Sequence, residues 1–569
     1  MRLFIDIVED AGRLGFPAPL LTLAALHGRN ESAQTLEALV VAGGGGHETR
    51  SGVPNALWLI PVSSALSDSE DVLELRFEHV PFYVHAISEH DHWLLLVLTA
   101  ATLEVLTISR APAPSLQYRC ALAVPAPCYR PSQDRGTECV GSTATRCATE
   151  PDGRLRWRWA SVAGPWLAAV YEDNDPRIWL LHWPSACRYA ALDPSASSER
   201  ARVLHEVHRN ILLPCGFVYG AEDDDTSLWA QTRLAGVERF CSGAFTNDAS
   251  WLALTCTAKR NRPRPQVSLT GAGDSKEIND PREHRDDHSV DARPCLVLLW
   301  LPRRLGDPGI RTETGLASNT HAADESKAIF LDIPLNHQVR RSARRPVRAP
   351  TPGPCVFLGT RALITTVVNS DGTTVASLWR HATIARGPSS QHSWSLWRYW
   401  RLTERQPVTA LSIFTGSVSN SPNEWPGVLG VAVANGTLQS YIVRPTRGCT
   451  TRAPLLCTSW LRRHHRRGWR RAPATTSALP SKAFDLVHDL PSSALVVVPW
   501  IDEQAQLDAV ADTRRHASTE WLLCSASPDG TLVWIKLRQA FAWTLVERAL
   551  RFLFLYLLVI CATRVFLFE

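Results

Sequence analysis

The sequence predicts an all-β fold: a seven-bladed β-propeller with long loop insertions, followed by one C-terminal transmembrane helix. Three observations predict it. A strand–turn–strand pattern recurs seven times along the chain, tryptophan is abundant at 21 residues, and the last stretch of the chain is almost wholly apolar. Repeats extend one continuous core, so 569 residues need not divide into several globular domains. Blades stacked face to face also give large aromatic rings a place to be buried.

The clearest copy is WLLCSASPDGTLVWIKL, from Trp521 to Leu537. Asp529-Gly530 supplies a tight hairpin turn, and alternate residues on either side face the core. LGVAVANGTLQSYIV (Leu429 to Val443) repeats the form with Asn435-Gly436, and ALITTVVNSDGTTVASLWRH (Ala362 to His381) with Asp371-Gly372. Degenerate copies are WLLLVLTAATLEVLTI (Trp93 to Ile108), WLAAVYEDNDPRIWLLHW (Trp166 to Trp183), and WLALTCTA (Trp251 to Ala258) split from CLVLLWLP (Cys295 to Pro302). A first copy lies within Leu39 to Val62, which makes seven units of WD-repeat type. Phe16 to Leu26 is expected to start the ring as a strand closing against the last blade. Polar, Pro-, Ser- and Arg-rich insertions interrupt the spacing near 130–154, 259–293, 303–327, 337–354 and 444–481. The structural competitor is an array of β-sandwiches.

The 14 cysteines include no C-x-x-C pair and fit no zinc signature, which suits buried thiols in a reducing compartment. A net charge of +5 on this length gives no reason to expect nucleic acid. Asp6, Glu9 and Asp10 interrupt the N-terminal apolar run, so it is not a signal peptide. Phe552 to Phe568 reads FLFLYLLVICATRVFLF, with Arg564 its one charge. Extended upstream, it forms a C-terminal membrane anchor over 541–569, leaving 1–540 as the propeller. Lys536, Arg538, Arg548 and Arg551 place the propeller on the cytosolic side. The alternative is a buried C-terminal core helix. A tail with basic flanks suits the endoplasmic reticulum or the mitochondrial outer membrane.

The segment with most chemical information is VVAGGGGHETRSGVPNALWLIPV, Val40 to Val62. Four consecutive glycines remove side-chain bulk and widen the allowed backbone, so the loop can bring main-chain groups to an ion or lie close against another protein. It has no lysine for a P-loop, and its G-x-G frames end in Glu48 or Thr49 rather than glycine. His47-Glu48 and His205-Glu206 lack the second histidine of a zinc protease motif. No covalent chemistry is therefore expected. The run also reads as a flexible hairpin without a partner. The arginine-dense stretch Trp460 to Arg471 reads first as a solvated insertion and second as a contact for anionic headgroups or nucleic acid. His284, Asp286, Asp287 and His288 sit in a polar insertion with no rigid element to hold a metal, and Glu222 to Asp225 is an acidic loop.

Gly43 to Gly46, then Ser51-Gly52-Val53 and Asn55, resembles the first-blade motif of the Sec twelve / prolactin regulatory element-binding protein family. The resemblance extends to the plan of the chain, including PVTALSIF (Pro407 to Phe414) and the final SASPDGTLVW before the anchor. It implies a propeller on the cytosolic face of the endoplasmic reticulum membrane that promotes GDP release from a Sar-type small GTPase and so starts COPII vesicle formation. It implies that Gly43, Gly44, Gly45, Gly46, Ser51, Gly52, Val53 and Asn55 shape the loop, with His47, Glu48, Thr49 and Arg50 as the tip facing the GTPase. It also implies a potassium ion at Gly43, Gly44, Gly45, Gly46 and Asn55, with no nucleotide bound by this chain itself. Within the same resemblance, the alternative is a non-catalytic membrane-anchored WD-repeat adaptor for cargo exit from the endoplasmic reticulum.

Overall fold

The computed structural model describes residues 2–7, 12–27, 36–45, 52–61, 72–89, 92–109, 116–125, 157–171, 177–192, 196–211, 213–214, 217–219, 228–259, 292–301, 328–333, 349–386, 389–403, 406–414, 427–445, 454–456, 476–477, 482–484, 487–500, 520–542 and 552–560. Their strands form seven antiparallel sheets, and each of the seven sequence copies supplies the two middle strands of one sheet. In the first sheet these are Leu36–Gly43 and Ala56–Pro61, flanked by Leu20–His27 and Leu73–Arg76. In the second they are His92–Thr99 and Thr102–Ser109, and in the seventh Glu520–Ala526 and Thr531–Ala542. Middle strands are covered on both faces, which is why they read as unbroken apolar runs; Trp166–Tyr171 is buried at every position. Seven consecutive antiparallel meanders are the strand plan of a seven-bladed WD-repeat propeller, and the sandwich array is set aside.

The chain divides into two compact units. Met1–Thr99, Glu104–Arg119 and Val408–Glu569 form the first; Ala100–Leu103 and Cys120–Pro407 form the second. In the first unit, one core joins sheet seven to sheet one through Trp534, Leu522 and Cys524 against Trp58, Leu39 and Val41. Others join sheet one to sheet two around Leu59, Trp93 and Leu95, and sheet six to sheet seven around Leu438, Leu523 and Ile535. In the second unit, Trp251, Phe357, Trp379 and Trp394 build the core between sheets four and five. Sheet three stacks Trp157 on Tyr171 at 3.7 Å between ring centres.

The chain differs from expectation at its N-terminus and in sheet three. Phe16 to Leu26 is not the closing strand: Gly12–Gly15 pairs with Thr531–Trp534 in sheet seven, and Leu20–His27 opens sheet one. Pro17 and Pro19 explain the break, since neither has an N–H for a ladder. A second N-terminal strand, Arg2–Ile7, pairs with Leu537–Ala542, so the last strand runs to Ala542 rather than ending before the tail.

The chain is also not purely β. Between the third and last strands of sheet three it forms α1 (Trp183–Ala190) and α2 (Ser197–Asn210). Pro184 at the start of α1 and the buried Val203, Leu204 and Val207 of α2 are the local reasons.

Finally, no helix among the described residues is long and apolar enough to cross a membrane. A helix covers 552–560, about 14 Å at the usual rise, against about 30 Å of hydrocarbon in a bilayer. Its side chains from Phe552 to Ile560 are 37% to 73% exposed, so these residues are not buried in a core.

Most of the expected insertions lie outside the described residues. Exceptions are Thr351–Leu358, the first strand of sheet five, Pro454–Leu456, which pairs with Val443–Pro445, and Thr476–Ser477 at the edge of sheet five; all three are strand where insertion was expected. The Trp460 to Arg471 stretch, His284 to His288 and Glu222 to Asp225 lie outside the described residues.

Candidate functional site: the base of the first-blade glycine loop

The glycine loop connects the two middle strands of sheet one, which pair from Ala38–Pro61 down to Gly43–Ala56. Leu39, Val40, Val41, Leu57 and Leu59 are buried on both faces, so the loop leaves a rigid platform. Gly43, Gly44, Gly45, Gly52, Val53 and Asn55 are described; Gly46, His47, Glu48, Thr49, Arg50 and Ser51 lie outside the described residues.

Both legs of the loop are gripped at their base. On the first leg, Gly44 N–H donates to the carbonyl of Pro19 at 3.1 Å. A Cβ on Gly43 would stand 1.9 Å from that same oxygen. The Phe16–Pro19 turn that supplies it is fixed by Phe16, whose N–H donates to Gly530 O at 2.7 Å and whose ring meets Trp58 at 5.1 Å. On the second leg, Asn55 is fully buried. Its Nδ2 donates to Glu78 O at 3.1 Å, and its own carbonyl accepts from Phe77 N–H at 2.8 Å. Asn55 therefore ties the loop to the linker between sheets one and two.

The two legs meet where Gly44 faces Asn55. A Cβ on Gly44 would lie 2.2 Å from Asn55 Oδ1 and 2.9 Å from Asn55 Cα. Close approach, rather than an unusual backbone angle, is what these two glycines provide. The left-handed backbone is at Gly52, with φ +67°, where a side chain would meet open space. Val53 is half-buried against the core between sheets one and seven. The sequence-predicted residues Gly44 and Asn55 are thus brought together across the loop.

For the implied potassium ion, Asn55 Oδ1 and the glycine carbonyls are neutral oxygen donors, the chemistry that suits a weakly hydrated monovalent cation. Gly46 lies outside the described residues. No group of three or more His, Cys, Asp or Glu able to hold a metal occurs among the described residues.

A second buried polar cluster was not singled out from sequence. His488 Nδ1 lies 2.7 Å from Thr531 Oγ1, and its Nε2 lies 2.9 Å from Ser525 Oγ, which donates to Ser492 Oγ at 2.9 Å. Asp529 accepts from Thr531 N–H at 2.9 Å and from Asp489 N–H at 2.9 Å. Burial depresses the His488 pKa, with Asp529 opposing the shift. This network fastens the turn of sheet seven to the strand entering it; the signal for it is the S-x-S-x-D-G-T run, Ser525 to Thr531, with a histidine in the preceding linker.

No protein-family model matches the chain, and no curated protein matches it in sequence. Among solved structures, the chain is similar to Sqt1 from Chaetomium thermophilum at 10% identity and a TM-score of 0.36, covering 93% of this chain and 97% of that one. It is also similar to the Cps50 (Swd1) β-propeller domain from Myceliophteria thermophila at 9% identity and 0.31, covering 73% and 81%. The architecture assigned above rests on the seven sheets and not on these likenesses.

Proposed function

We propose that this propeller is a guanine-nucleotide exchange factor for a Sar-type small GTPase, acting at the endoplasmic reticulum membrane to start COPII assembly. The observation that carries the reading is the loop base: a motif of Gly43, Gly44, Gly52 and Asn55 whose two legs are locked to Pro19 and Glu78. Anchoring at Gly44 and Asn55 fixes where both legs of the loop leave the sheet, which removes that part of the ordering cost of presenting His47 to Arg50 to a partner. Exchange needs no bond to be made or broken by this chain. It follows when the tip binds the nucleotide-free GTPase more tightly than the GDP form, because each ligand then weakens the other. A potassium ion, when bound, would stiffen the glycine carbonyls; Gly43, Gly44, Gly45 and Asn55 are the described residues that would hold it. Membrane attachment is assigned to the apolar, exposed helix at 552–560.

The coarser reading is an interaction adaptor for cargo exit, and it is favoured by the propeller scaffold itself. One experiment separates the two. GDP release from a purified Sar-type GTPase is followed with and without the full-length protein in detergent, in potassium and in sodium buffer. Acceleration that is lost when His47, Glu48 and Arg50 are changed together to alanine supports exchange. Binding of the GTPase without acceleration supports the adaptor. Neither binding nor acceleration rejects both for this GTPase.

A further inference from the structure

Sheet four carries three cysteines in a row across adjacent strands. Cys256 on Trp251–Lys259 and Cys295 on Ala292–Trp300 are direct partners in the ladder. Cys241 lies on Val237–Phe245 at the register shift between Phe240 and Ser242, beside the Phe240–Cys256 pair. Cys256 and Cys295 are buried, and Cys241 is half-buried. Burial alone is ordinary for a thiol. Direct opposition is not.

Opposed residues of an antiparallel pair have Cα atoms roughly 4.5–5.5 Å apart, inside the roughly 4.4–6.8 Å window for a disulfide. As direct partners in an antiparallel ladder, the two side chains stand on one face of the sheet, and Cys295 Sγ donates to the Leu331 carbonyl at 3.3 Å. The adjoining Cys256 side chain is the leading influence that draws the Cys295 thiol below its ordinary range, and Cys295, with burial, pushes Cys256 up. Two of the other buried thiols, Cys355 and Cys524, have no cysteine opposite them. Cys355 faces Thr365, and Cys524 faces Val496 and Trp534. Burial pushes Cys355 to about 12 and Cys524 up as well.

We propose that Cys256 and Cys295 are a redox-modification site that hydrogen peroxide closes into a cross-strand disulfide. The Cys295 sulfur attacks one peroxide oxygen, the O–O bond breaks, and the first water leaves. The resulting sulfenic acid is attacked by the Cys256 sulfur; the S–S bond forms and the hydroxyl departs with the Cys256 proton as the second water. Two thiols are oxidised and one peroxide is reduced to two waters. The bond would staple the stem of the 260–291 insertion, since only the Thr257–Pro294, Ala258–Arg293 and Lys259–Ala292 rungs lie beyond it. A site of this kind rests reduced in a reducing compartment and responds transiently to oxidant.

The test uses the reduced full-length protein in detergent, treated natively with hydrogen peroxide, quenched, then alkylated in denaturant and digested for mass spectrometry. The expected result is a Cys256–Cys295 linked peptide pair, lighter by two hydrogens and separated by dithiothreitol. Cys355 and Cys524 should be fully alkylated. The linked pair should persist in Cys241→Ser and vanish in Cys295→Ser; if Cys295→Ser fails to fold, the wild-type and Cys241→Ser digests decide. Alkylation of both Cys256 and Cys295 after treatment, with the circular dichroism unchanged, would overturn the proposal. So would a Cys241–Cys256 bond in place of the predicted one.

Discussion

Gly44→Ala is the substitution whose cost can be worked most directly. The new methyl would stand 2.2 Å from Asn55 Oδ1, far inside contact distance, and 2.9 Å from Asn55 Cα. The carboxamide cannot swing aside without giving up its bond to Glu78 O, and stranding that buried group costs about 1–3 kcal/mol. Overpacking at the rigid loop base adds about 1–3 kcal/mol. The sum, roughly 2–6 kcal/mol, would appear in urea unfolding of the full-length protein in detergent. Gly52→Ala is the control: it meets no atom and costs only the left-handed backbone, about 1–2 kcal/mol. In an Asn55→Ala background, Gly44→Ala should cost about 1–2 kcal/mol less, because the clashing oxygen is gone. If Gly44→Ala lies within about 0.5 kcal/mol of wild type, the loop base is not packed as described and the reasoning fails. The same arithmetic argues for probing exchange at the tip residues, since alanines at the glycines would damage the scaffold as well.

Acid should destabilise the first compact unit. Burial lowers the pKa of His27, His85 and His488, and takes His85 to about 4. The unfolded chain then takes up protons first, so stability is full above an unfolded value of about 6.5 and falls as pH drops toward 4. For His85 the loss reaches about 3 kcal/mol below that point. Melting temperatures that stay flat from pH 7.5 to 4.5 would contradict this. Gly12→Ala should loosen the N-terminal closure, since its Cβ would stand 2.0 Å from Trp534 Cε2. A cost of about 1–3 kcal/mol and faster amide exchange at Leu532 to Trp534 are expected, and unchanged exchange would count against it. Leu555→Lys with Leu558→Lys should abolish flotation with liposomes while leaving the melt of the propeller unchanged; continued flotation would remove the 552–560 helix from membrane binding.

The readable parts of the fold share one cause. Every copy found by pattern is the middle hairpin of a sheet, because a strand covered on both faces must be apolar at nearly every position. Inner and outer strands such as Gly12–Gly15, Leu73–Arg76 and Ile329–Asp332 alternate half-buried and exposed over only four residues, too short to stand out. That is why the closing strand was expected in the apolar Phe16 to Leu26. The helices α1 and α2 were hidden for a related reason. They follow the apolar RIWLLH strand directly, and their buried face of Ala186, Tyr189, Val203, Leu204 and Val207 spans two short segments.

At the candidate site, the sequence by itself determined that a glycine-rich connection with a following Asn joins two apolar strands, since residue types and spacing are local properties. Only the tertiary structure decided why those residues are required. Pro19 and Glu78 lie far from Gly44 and Asn55 along the chain, and they meet them only because sheet one folds between the closing turn and the linker to sheet two. The opposition of Cys256 and Cys295 is likewise a matter of register, invisible in a sequence that separates them by a long polar insertion. Packing distance converts a permissive glycine into an obligatory one, and a pair of scattered cysteines into neighbours. Composition carries neither.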